Sequence, residues 1–333
     1  MKYRILGRTK LKVSEIGCGT WQLANDPGCW VGSDLDESLR CLHRFAELGG
    51  NFIDTAWIYG FSDKNPSSHP SEELIGKFLE ESGKRNKLVI ATKVPPKNMK
   101  WPAPKGVPIS KVFPNEHIER CVNDSLKSLG VDAIDLVQFH VWQDYFSKED
   151  SWKETIQRLT DEGKVRFWGI SINDYQPTNC INTLDTGLIS TVQCIFNIFH
   201  QKPAGKLFEY ARKNDIGLIA RVPLDEGGLS GKFTQRTKFQ KGDLRRSYFR
   251  GPRLKELVER TNKLSKLLGK EARTLPELAL RYILSFDEIS TAIPGMRRLQ
   301  HVESNVSVSD GRRLSPKLMK KLKKHSWERN FYR

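Results

Sequence analysis

Four side chains that could move a proton stand at or just after apolar runs of the sequence. Asp54 ends NFID, Lys93 follows KLVIAT, His140 follows IDLVQF, and Tyr59 lies in DTAWIYG. A tyrosine has an ordinary pKa of about 10, so it becomes a useful acid near neutral pH only beside a cation such as Lys93. Asp54 would keep that ammonium charged, and His140 would orient the substrate oxygen. These residue types predict proton donation to an oxygen that gains negative charge.

Short strands and helices alternate along the chain and would bring these side chains together. Apolar runs predict strands near residues 16–20, 51–54, 87–92, 134–139, 165–171, 190–194, 216–221 and 289–293. Helical patterns lie between and after them, near 35–48, 71–82, 115–128, 150–162, 176–184, 203–213, 274–285 and 298–306. Two additional helices are predicted at 253–268 and 315–326, and residues 2–13 predict an N-terminal β-hairpin.

Eight βα units without a break in composition predict an α/β fold, a (β/α)8 TIM barrel formed by one domain over residues 1–333. The carboxyl ends of barrel strands converge at one mouth, which would place the four residues together. A doubly wound sheet is disfavoured, because Gly17 to Trp21 runs into no helix start that could bind phosphate. Residues 94–114 contain six prolines and predict an irregular loop on the barrel rim.

Composition excludes several classes of protein. No apolar run reaches membrane-spanning length and the N-terminus lacks a leader pattern, so we expect no membrane contact and a cytoplasmic location. The six cysteines form no C-x-x-C pair and predict reduced thiols. Metal-binding, Rossmann and P-loop motifs are absent from the sequence, so no metal site is expected.

The net charge of +16 raises the question of nucleic-acid binding. Basic residues concentrate at 232–253 and 312–333. Neither stretch interleaves aromatic residues in a recognisable module, and the second has the pattern of an amphipathic helix with a basic outer face. A solvated surface is therefore favoured over a nucleic-acid interface.

Longer segments carry a resemblance to a known family. DTAWIYG, SLKSLGVDAIDLVQFH, GISIND, VPLDEGGLSGKF and IPGMRRLQHVESN follow the order and spacing of the aldo-keto reductase superfamily, which this sequence resembles over essentially its whole length. The resemblance implies reduction of an aldehyde or ketone by NADPH in a barrel. It assigns Tyr59 as the general acid, with Asp54, Lys93 and His140 completing the catalytic set.

The resemblance also implies a cofactor site. Its residues are Thr20, Trp21, Asp54, Ser171, Gln193, Arg221, Pro223, Leu224, Glu226, Gly228, Leu229, Ser230, Lys232, Gly295, Arg297, His301 and Asn305. Ser171 and Gln193 would hold the nicotinamide carboxamide, residues 224–231 would lie over the pyrophosphate, and Arg297 would bind the 2′-phosphate that distinguishes NADPH from NADH.

Three positions depart from the family pattern. Ile172 separates Ser171 from Asn173, where relatives often have asparagine directly after the serine. Arg221 stands where relatives usually place an aromatic ring that stacks on the nicotinamide, and its charge would oppose the oxidised, positive ring. Ser304 stands where glutamate is common.

The substrate pocket is predicted to contain Trp21, Trp57, Trp101, His140 and Trp142, whose aromatic walls suit a small-molecule carbonyl compound. Arg221 and the net charge keep open an anionic substrate such as a sugar or nucleotide-sugar ketone. A cofactor-binding regulatory subunit with little turnover is a further alternative, which the intact catalytic set disfavours. The sequence specifies neither the oligomeric state nor the substrate.

Overall fold

A computed structural model describes residues 1–25, 28–172 and 175–332. Its chain starts with the predicted hairpin, in which β1 (Tyr3–Ile5) pairs antiparallel with β2 (Lys12–Ser14). Gly7 in the connection is left-handed, with φ of 50°, and a Cβ there would lie 2.1 Å from the backbone nitrogen of Gly217. Glycine favours this conformation, and the close approach requires a residue without a Cβ.

The hairpin covers one end of a larger sheet. Leu6 and Val13 are fully buried. They cluster with side chains of the barrel strands, namely Phe52, Val89, Ala91, Leu136, Ile219 and Ile293. Phe52 and Val89 are the first residues of their strands, so the hairpin closes the end of the barrel opposite the carboxyl ends of the strands.

Eight parallel strands form the larger sheet. They are β3 (Cys18–Gly19), β4 (Phe52–Asp54), β5 (Val89–Val94), β6 (Ile134–Phe139), β7 (Val165–Ser171), β8 (Thr191–Ile195), β9 (Gly217–Arg221) and β10 (Ile289–Ala292). They pair in chain order. Parallel bridges from Ile16 to Ala292 and from Gly19 to Gly295 join the two edges of the sheet. The predicted (β/α)8 fold class is confirmed.

Twelve α-helices in the described chain surround the sheet or lie in the segments that connect and follow its strands. They are α1 (Leu35–Glu47), α2 (Pro70–Ser82), α3 (Ile109–Val112), α4 (Asn115–Leu129), α5 (Ser151–Asp161), α6 (Ile181–Asp185), α7 (Lys206–Asn214), α8 (Arg245–Tyr248), α9 (Arg253–Ser265), α10 (Leu275–Leu284), α11 (Leu299–Ser307) and α12 (Pro316–Lys323). The two predicted additional helices correspond to α9 and α12. No helix within the described ranges is both long and apolar enough to cross a bilayer.

Two short helices were not predicted from the sequence, and the first of them corrects the expectation for residues 94–114. The α3 helix lies inside the proline-rich segment 94–114, which was expected to be wholly irregular; it occupies a proline-free stretch between Pro108 and Pro114. The α8 helix lies in the basic stretch 232–253, where the Asp243 carboxylate accepts a hydrogen bond from the backbone nitrogen of Arg245 at 2.9 Å. Both are single turns, too short for a periodic pattern to reveal.

Strand register places the polar residues of the barrel beside one another. Lys93 on β5 lies opposite Gln138 on β6, and Ser171 on β7 lies opposite Gln193 on β8. Neighbouring residues in register project to the same side of a parallel sheet. The carboxyl halves of these strands therefore direct polar side chains into the mouth of the barrel.

Candidate active site

The ammonium group of Lys93 is the centre of a buried cluster. Its Nζ donates to Asp54 Oδ1 at 2.5 Å, to the backbone oxygen of Thr55 at 2.7 Å and to the Tyr59 hydroxyl at 3.3 Å. Only 1% of Lys93 and 2% of Asp54 is exposed. Burial lowers the pKa of Lys93, and the Asp54 carboxylate opposes that change. Asp54 thus favours a charged ammonium beside the tyrosine oxygen.

Two glutamines hold the other oxygen of Asp54. Gln193 Nε2 donates to Oδ2 at 2.7 Å, and Gln138 Nε2 donates to the same atom at 3.1 Å. Sequence analysis did not single out Gln138. The available signal was an amide inside the apolar run IDLVQF, one residue before the end of β6, where a buried polar side chain needs a partner.

Tyr59 is positioned by the turn after β4 and by the start of α2. Its backbone nitrogen donates to the Ala56 oxygen at 3.0 Å, and its own backbone oxygen accepts from the Ser71 nitrogen at 3.3 Å. The ring stacks on Trp21 with centroids 5.6 Å apart, and the Lys93 ammonium lies 4.9 Å from its centroid. The phenol is thereby held between an aromatic face and a cation.

His140 completes the group predicted to be catalytic. Its ring meets that of Tyr59 edge-on at 5.7 Å and that of Trp101 at 4.6 Å. Desolvation lowers the pKa of His140 well below its ordinary 6.5, and the charges of Lys93 and Arg221 act in the same direction. The imidazole is therefore neutral near pH 7 and carries one ring N–H that can be donated.

Asp54, Tyr59 and His140 line a cavity of about 930 Å³. The same cavity is lined by most of the predicted cofactor and substrate residues: Thr20, Trp21, Trp101, Ser171, Gln193, Arg221, Pro223, Leu224, Glu226, Ser230, Lys232, Gly295, Arg297, His301 and Asn305. Sequence analysis missed several further lining residues, among them Trp30, Arg245 and Tyr332. These three lie outside the segments that carry the family resemblance. For Arg245 the available signal was its place in the basic stretch 232–253.

The structure places two of the predicted pocket tryptophans elsewhere. Trp57 is 3% exposed, stacks on Phe61 at 4.7 Å and donates to the Asp124 carboxylate at 3.1 Å. Trp142 is fully buried and donates to Thr183 Oγ1 at 2.7 Å. Each indole is directed into the packing between strands and helices, where its N–H finds a partner. The pocket prediction is corrected for both residues.

Gly228 and Leu229, which belong to the segment 224–231 predicted to lie over the pyrophosphate, likewise do not line the cavity. Leu229 is fully buried in the core. A Cβ on Gly228 would approach Asp225 Oδ2 to 2.8 Å and Leu257 to 3.0 Å, so this glycine allows close packing of the loop rather than facing the cavity. Asn173, which departs from the family spacing, lies outside the described residues.

Basic side chains line another part of the cavity. Arg297 donates through Nη2 to the backbone oxygens of Val31 at 3.0 Å and Gly32 at 2.6 Å. Burial lowers its pKa, and the neighbouring positive charges of Arg245 and Arg298 act in the same direction. Such an accumulation of positive charge favours a bound phosphate.

Arg221 ends β9 close to the residues that are predicted to be catalytic. Its Nη2 donates to the Ile172 backbone oxygen at 3.4 Å, and its Nε is buried without a hydrogen-bond partner in the described chain. Its charge acts on both Lys93 and His140. The guanidinium retains donor capacity for a bound molecule.

A second buried carboxyl group lies beside β5. Glu72 Oε1 accepts from Thr92 Oγ1 at 2.5 Å and from Ser125 Oγ at 2.7 Å, and its Oε2 has no hydrogen-bond partner among residues that the structure describes. Burial raises the pKa of Glu72 to about 7.

No group of three or more His, Cys, Asp or Glu within the described ranges could hold a metal ion.

Comparison with known proteins identifies the family. A model described as the aldo/keto reductase family matches residues 15–326. The chain belongs to this family. It is 30% identical to aldo-keto reductase YhdN of Bacillus subtilis (strain 168), over 91% of this chain and 87% of that protein.

Two further relatives show the range of the family. The NADH-specific methylglyoxal reductase of Escherichia coli (strain K12) is 28% identical, over 92% of this chain and 93% of that protein. The structure of glycerol dehydrogenase AKR11B4 from Gluconobacter oxydans matches with a TM-score of 0.77 and 28% identity, over 97% of this chain and 94% of that one. As an aldo-keto reductase, the protein is an oxidoreductase of the carbonyl-reducing kind, and its family uses nicotinamide cofactors.

Proposed function

We propose that this aldo-keto reductase converts an aldehyde or ketone to an alcohol with NADPH, and that Tyr59 donates the proton. The observation that carries the proposal is the Lys93 ammonium, which lies 2.5 Å from the Asp54 carboxylate and 3.3 Å from the Tyr59 hydroxyl beside the cavity. A cation held in this way serves a phenol that must lose its proton during a reaction.

The cavity suits a nicotinamide dinucleotide. Lys232, Arg245 and Arg297 line it and could neutralise phosphates, and we assign the 2′-phosphate of NADPH to Arg297. Ser171 and Gln193 could hold the carboxamide. Because the Gln193 amide nitrogen donates to Asp54, its oxygen is the atom left to accept from that carboxamide.

When bound, the nicotinamide supplies a hydride to the carbonyl carbon of the substrate. Negative charge then builds on the carbonyl oxygen, and the Tyr59 hydroxyl transfers its proton to that oxygen. The Lys93 ammonium stabilises the phenolate left behind, and Asp54 holds the ammonium in position. Neutral His140 donates its ring N–H to the same oxygen and so fixes the direction of the carbonyl group.

Two further assignments accompany this function. The six cysteines are free thiols, and five of them are buried. This supports a reducing compartment, and we assign the protein to the cytoplasm.

We assign a small-molecule carbonyl compound as the substrate, for which Trp21 and Trp101 provide aromatic cavity walls.

Replacing Tyr59 with phenylalanine tests the proposal. A panel of neutral and anionic carbonyl compounds is first screened for NADPH oxidation by absorbance. On the best substrate, Tyr59→Phe should lower kcat by roughly 10²- to 10⁴-fold, with NADPH affinity nearly unchanged. The control is Tyr210→Phe, which removes a hydroxyl that donates to Asp185 at the surface. If Tyr59→Phe kept more than about half of the wild-type kcat, the assignment of the acid would be wrong.

A further inference from the structure

The loop of residues 222–231 has a backbone that its own residues do not favour. Val222, Asp225 and Glu226 are left-handed, with φ of 54°, 53° and 52°. Non-glycine residues rarely adopt this conformation, and valine is especially disfavoured because of its branched Cβ. The loop therefore depends on contacts from other parts of the chain to keep its shape.

The C-terminal segment, defined here as residues 327–332, supplies such contacts. Arg329 forms an ion pair with Asp225, with only 4% and 1% of the two side chains exposed. Tyr332 donates its hydroxyl to Glu226 Oε1. The Tyr248 hydroxyl also donates to Asp225 Oδ1, at 3.1 Å. Both carboxylates of the left-handed stretch are thus bound by the C-terminal segment.

The C-terminal segment is itself attached to the barrel. The Trp327 backbone nitrogen donates to the Phe199 oxygen at 2.8 Å. Arg253 on α9 donates to the Phe331 oxygen at 3.2 Å and lies 4.4 Å from the centroid of that ring. The Arg329 guanidinium lies over three aromatic rings, at 4.4 Å from Trp327, 4.8 Å from Phe331 and 5.4 Å from Phe199. The segment therefore connects the loop to fixed parts of the molecule.

The opposite side of the loop faces the cavity. Pro223, Leu224, Glu226 and Ser230 line it, and Tyr332 lines it as well. Asp225 is not among the described lining residues; it is directed toward Arg329 on the other side of the same backbone. A movement of the loop away from the C-terminal segment would therefore separate Arg329 from Asp225.

We propose that Arg329 and Tyr332 are positioning residues that hold the 222–231 loop over the bound dinucleotide, so that the C-terminal segment controls how fast the cofactor leaves. This inference rests on the proposed function, because the ligand under the loop is taken to be NADPH. Neither residue takes part in proton transfer. Their effect is on the rate of cofactor dissociation rather than on the chemical step.

Stopped-flow fluorescence of full-length variants tests this inference. Protein loaded with NADPH is mixed with excess NADP⁺, and the loss of NADPH fluorescence gives the dissociation rate. Arg329→Met should raise that rate by about 10-fold or more, since it leaves Asp225 buried without its cation. Tyr332→Phe removes only a hydroxyl and should raise it by about 2- to 5-fold. Arg329→Lys, which keeps the charge, should raise the dissociation rate less than Arg329→Met does.

The matched control is Arg260→Met. Arg260 also lies 4.4 Å from the Trp327 ring centroid, but it is on α9 and forms no hydrogen bond or ion pair with the loop within the described ranges. The NADPH dissociation rate of Arg260→Met should stay within about 2-fold of the wild-type rate. Circular dichroism confirms that each variant is folded, and Tyr332→Phe keeps the test decisive if Arg329→Met does not fold.

Two results would overturn the inference. Wild-type dissociation rates in folded Tyr332→Phe and Arg329 variants would show that the contacts do not hold the loop, and equal increases in Arg260→Met would show general damage to the segment. Failure of the wild type to bind any nicotinamide dinucleotide would contradict the proposed function itself. The two kinds of failure are therefore distinguishable.

Discussion

At the scale of single residues, two cations differ in their partners: Lys93 lies beside the cavity in an ion pair, whereas Arg221 lines the cavity and has no ion-pair partner within the described ranges. Lys93 lies against Asp54 at 2.5 Å. Within the described ranges, the Arg221 side chain forms one hydrogen bond, at 3.4 Å to the Ile172 oxygen, and its Nε is buried without a partner. A guanidinium without an ion-pair partner disfavours any further positive charge nearby. Hydride loss creates such a charge on the nicotinamide ring.

We therefore expect Arg221→Met to tighten NADP⁺ binding and to change NADPH binding little. Two unit charges about 8 Å apart in a medium of effective dielectric about 20 repel each other by about 2 kcal/mol, or about 30-fold in affinity. Tryptophan-fluorescence titrations with both cofactors measure the ratio. Arg221→Lys, which keeps the charge, is the control. An equal change for both cofactors would instead indicate a contact with a phosphate they share.

Arg297 carries the prediction on cofactor choice. Its loss should weaken NADPH binding by roughly 1.5 to 3 kcal/mol, or about 10- to 150-fold, because a charge-assisted bond to the 2′-phosphate disappears. NADH, which lacks that phosphate, should bind Arg297→Met nearly as it binds the wild type. Calorimetric titration of both cofactors measures this difference. Similar wild-type affinities for NADPH and NADH would contradict the assignment.

Individual residues of the cavity also show how far the sequence could predict the site. The proximity of Asp54, Tyr59, Lys93 and His140 was predictable because strand ends converge at the barrel mouth and short motifs carry these residues. Trp57 and Trp142 were misassigned because spacing does not reveal whether an indole beyond a strand turns inward or into the helix layer. Gln138 and Tyr332 were missed because their partners are distant in sequence.

At the scale of elements, strands and long helices follow their apolar periodicity, whereas short elements depend on tertiary contacts. A helix was predicted over residues 176–184, but α6 spans only Ile181–Asp185. Its first residues are set by Asp144, whose carboxylate accepts from the Asn182 and Thr183 nitrogens at 3.1 and 2.8 Å. This contact joins positions about 40 residues apart, which no local pattern records.

The packing of α2 against β5 predicts a pH dependence of stability. Burial raises the pKa of Glu72 from 4.5 to about 7. Between these pH values the folded protein holds a proton that the unfolded chain has released, so Glu72 lowers stability as pH rises through this window, and the cost is complete above it.

Glu72→Gln should therefore match the wild type near pH 5 and be more stable at pH 8, by on the order of 1 to 3 kcal/mol. Urea unfolding at the two pH values measures the difference. Glu80→Gln, an exposed position on the same helix, should show no such gain. A stability difference that is the same at both pH values would contradict a neutral Glu72 in the folded protein.

At the scale of the whole molecule, the N-terminal hairpin and the barrel form a continuous packed structure through Gly7. Gly7→Ala should destabilise the protein by about 3 kcal/mol or more, because the new Cβ would meet the Gly217 backbone at 2.1 Å. The control is Gly83→Ala, which is also left-handed, with φ of 61°, but has open space around it. It should cost about 1 kcal/mol.

Thermal unfolding followed by circular dichroism compares the two variants. Equal losses of stability in the two variants would mean that the left-handed backbone, and not close packing of the hairpin on the barrel, is the reason why position 7 requires glycine. In the wild type, far- and near-ultraviolet signals should change together. That coincidence would support the prediction that residues 1–333 form one domain, whereas separate transitions would contradict it.

The ion pair between Asp225 and Arg329 joins positions 104 residues apart. A ribosome makes the chain from its N-terminus, so the strained 222–231 loop leaves the exit tunnel well before the arginine that binds it. Until Arg329 has been translated, Asp225 has no counter-charge from that segment, and the cavity lacks the wall that Tyr332 forms. The wall of the cavity is therefore completed only after all eight barrel strands, the last of which is β10 (Ile289–Ala292), have been made.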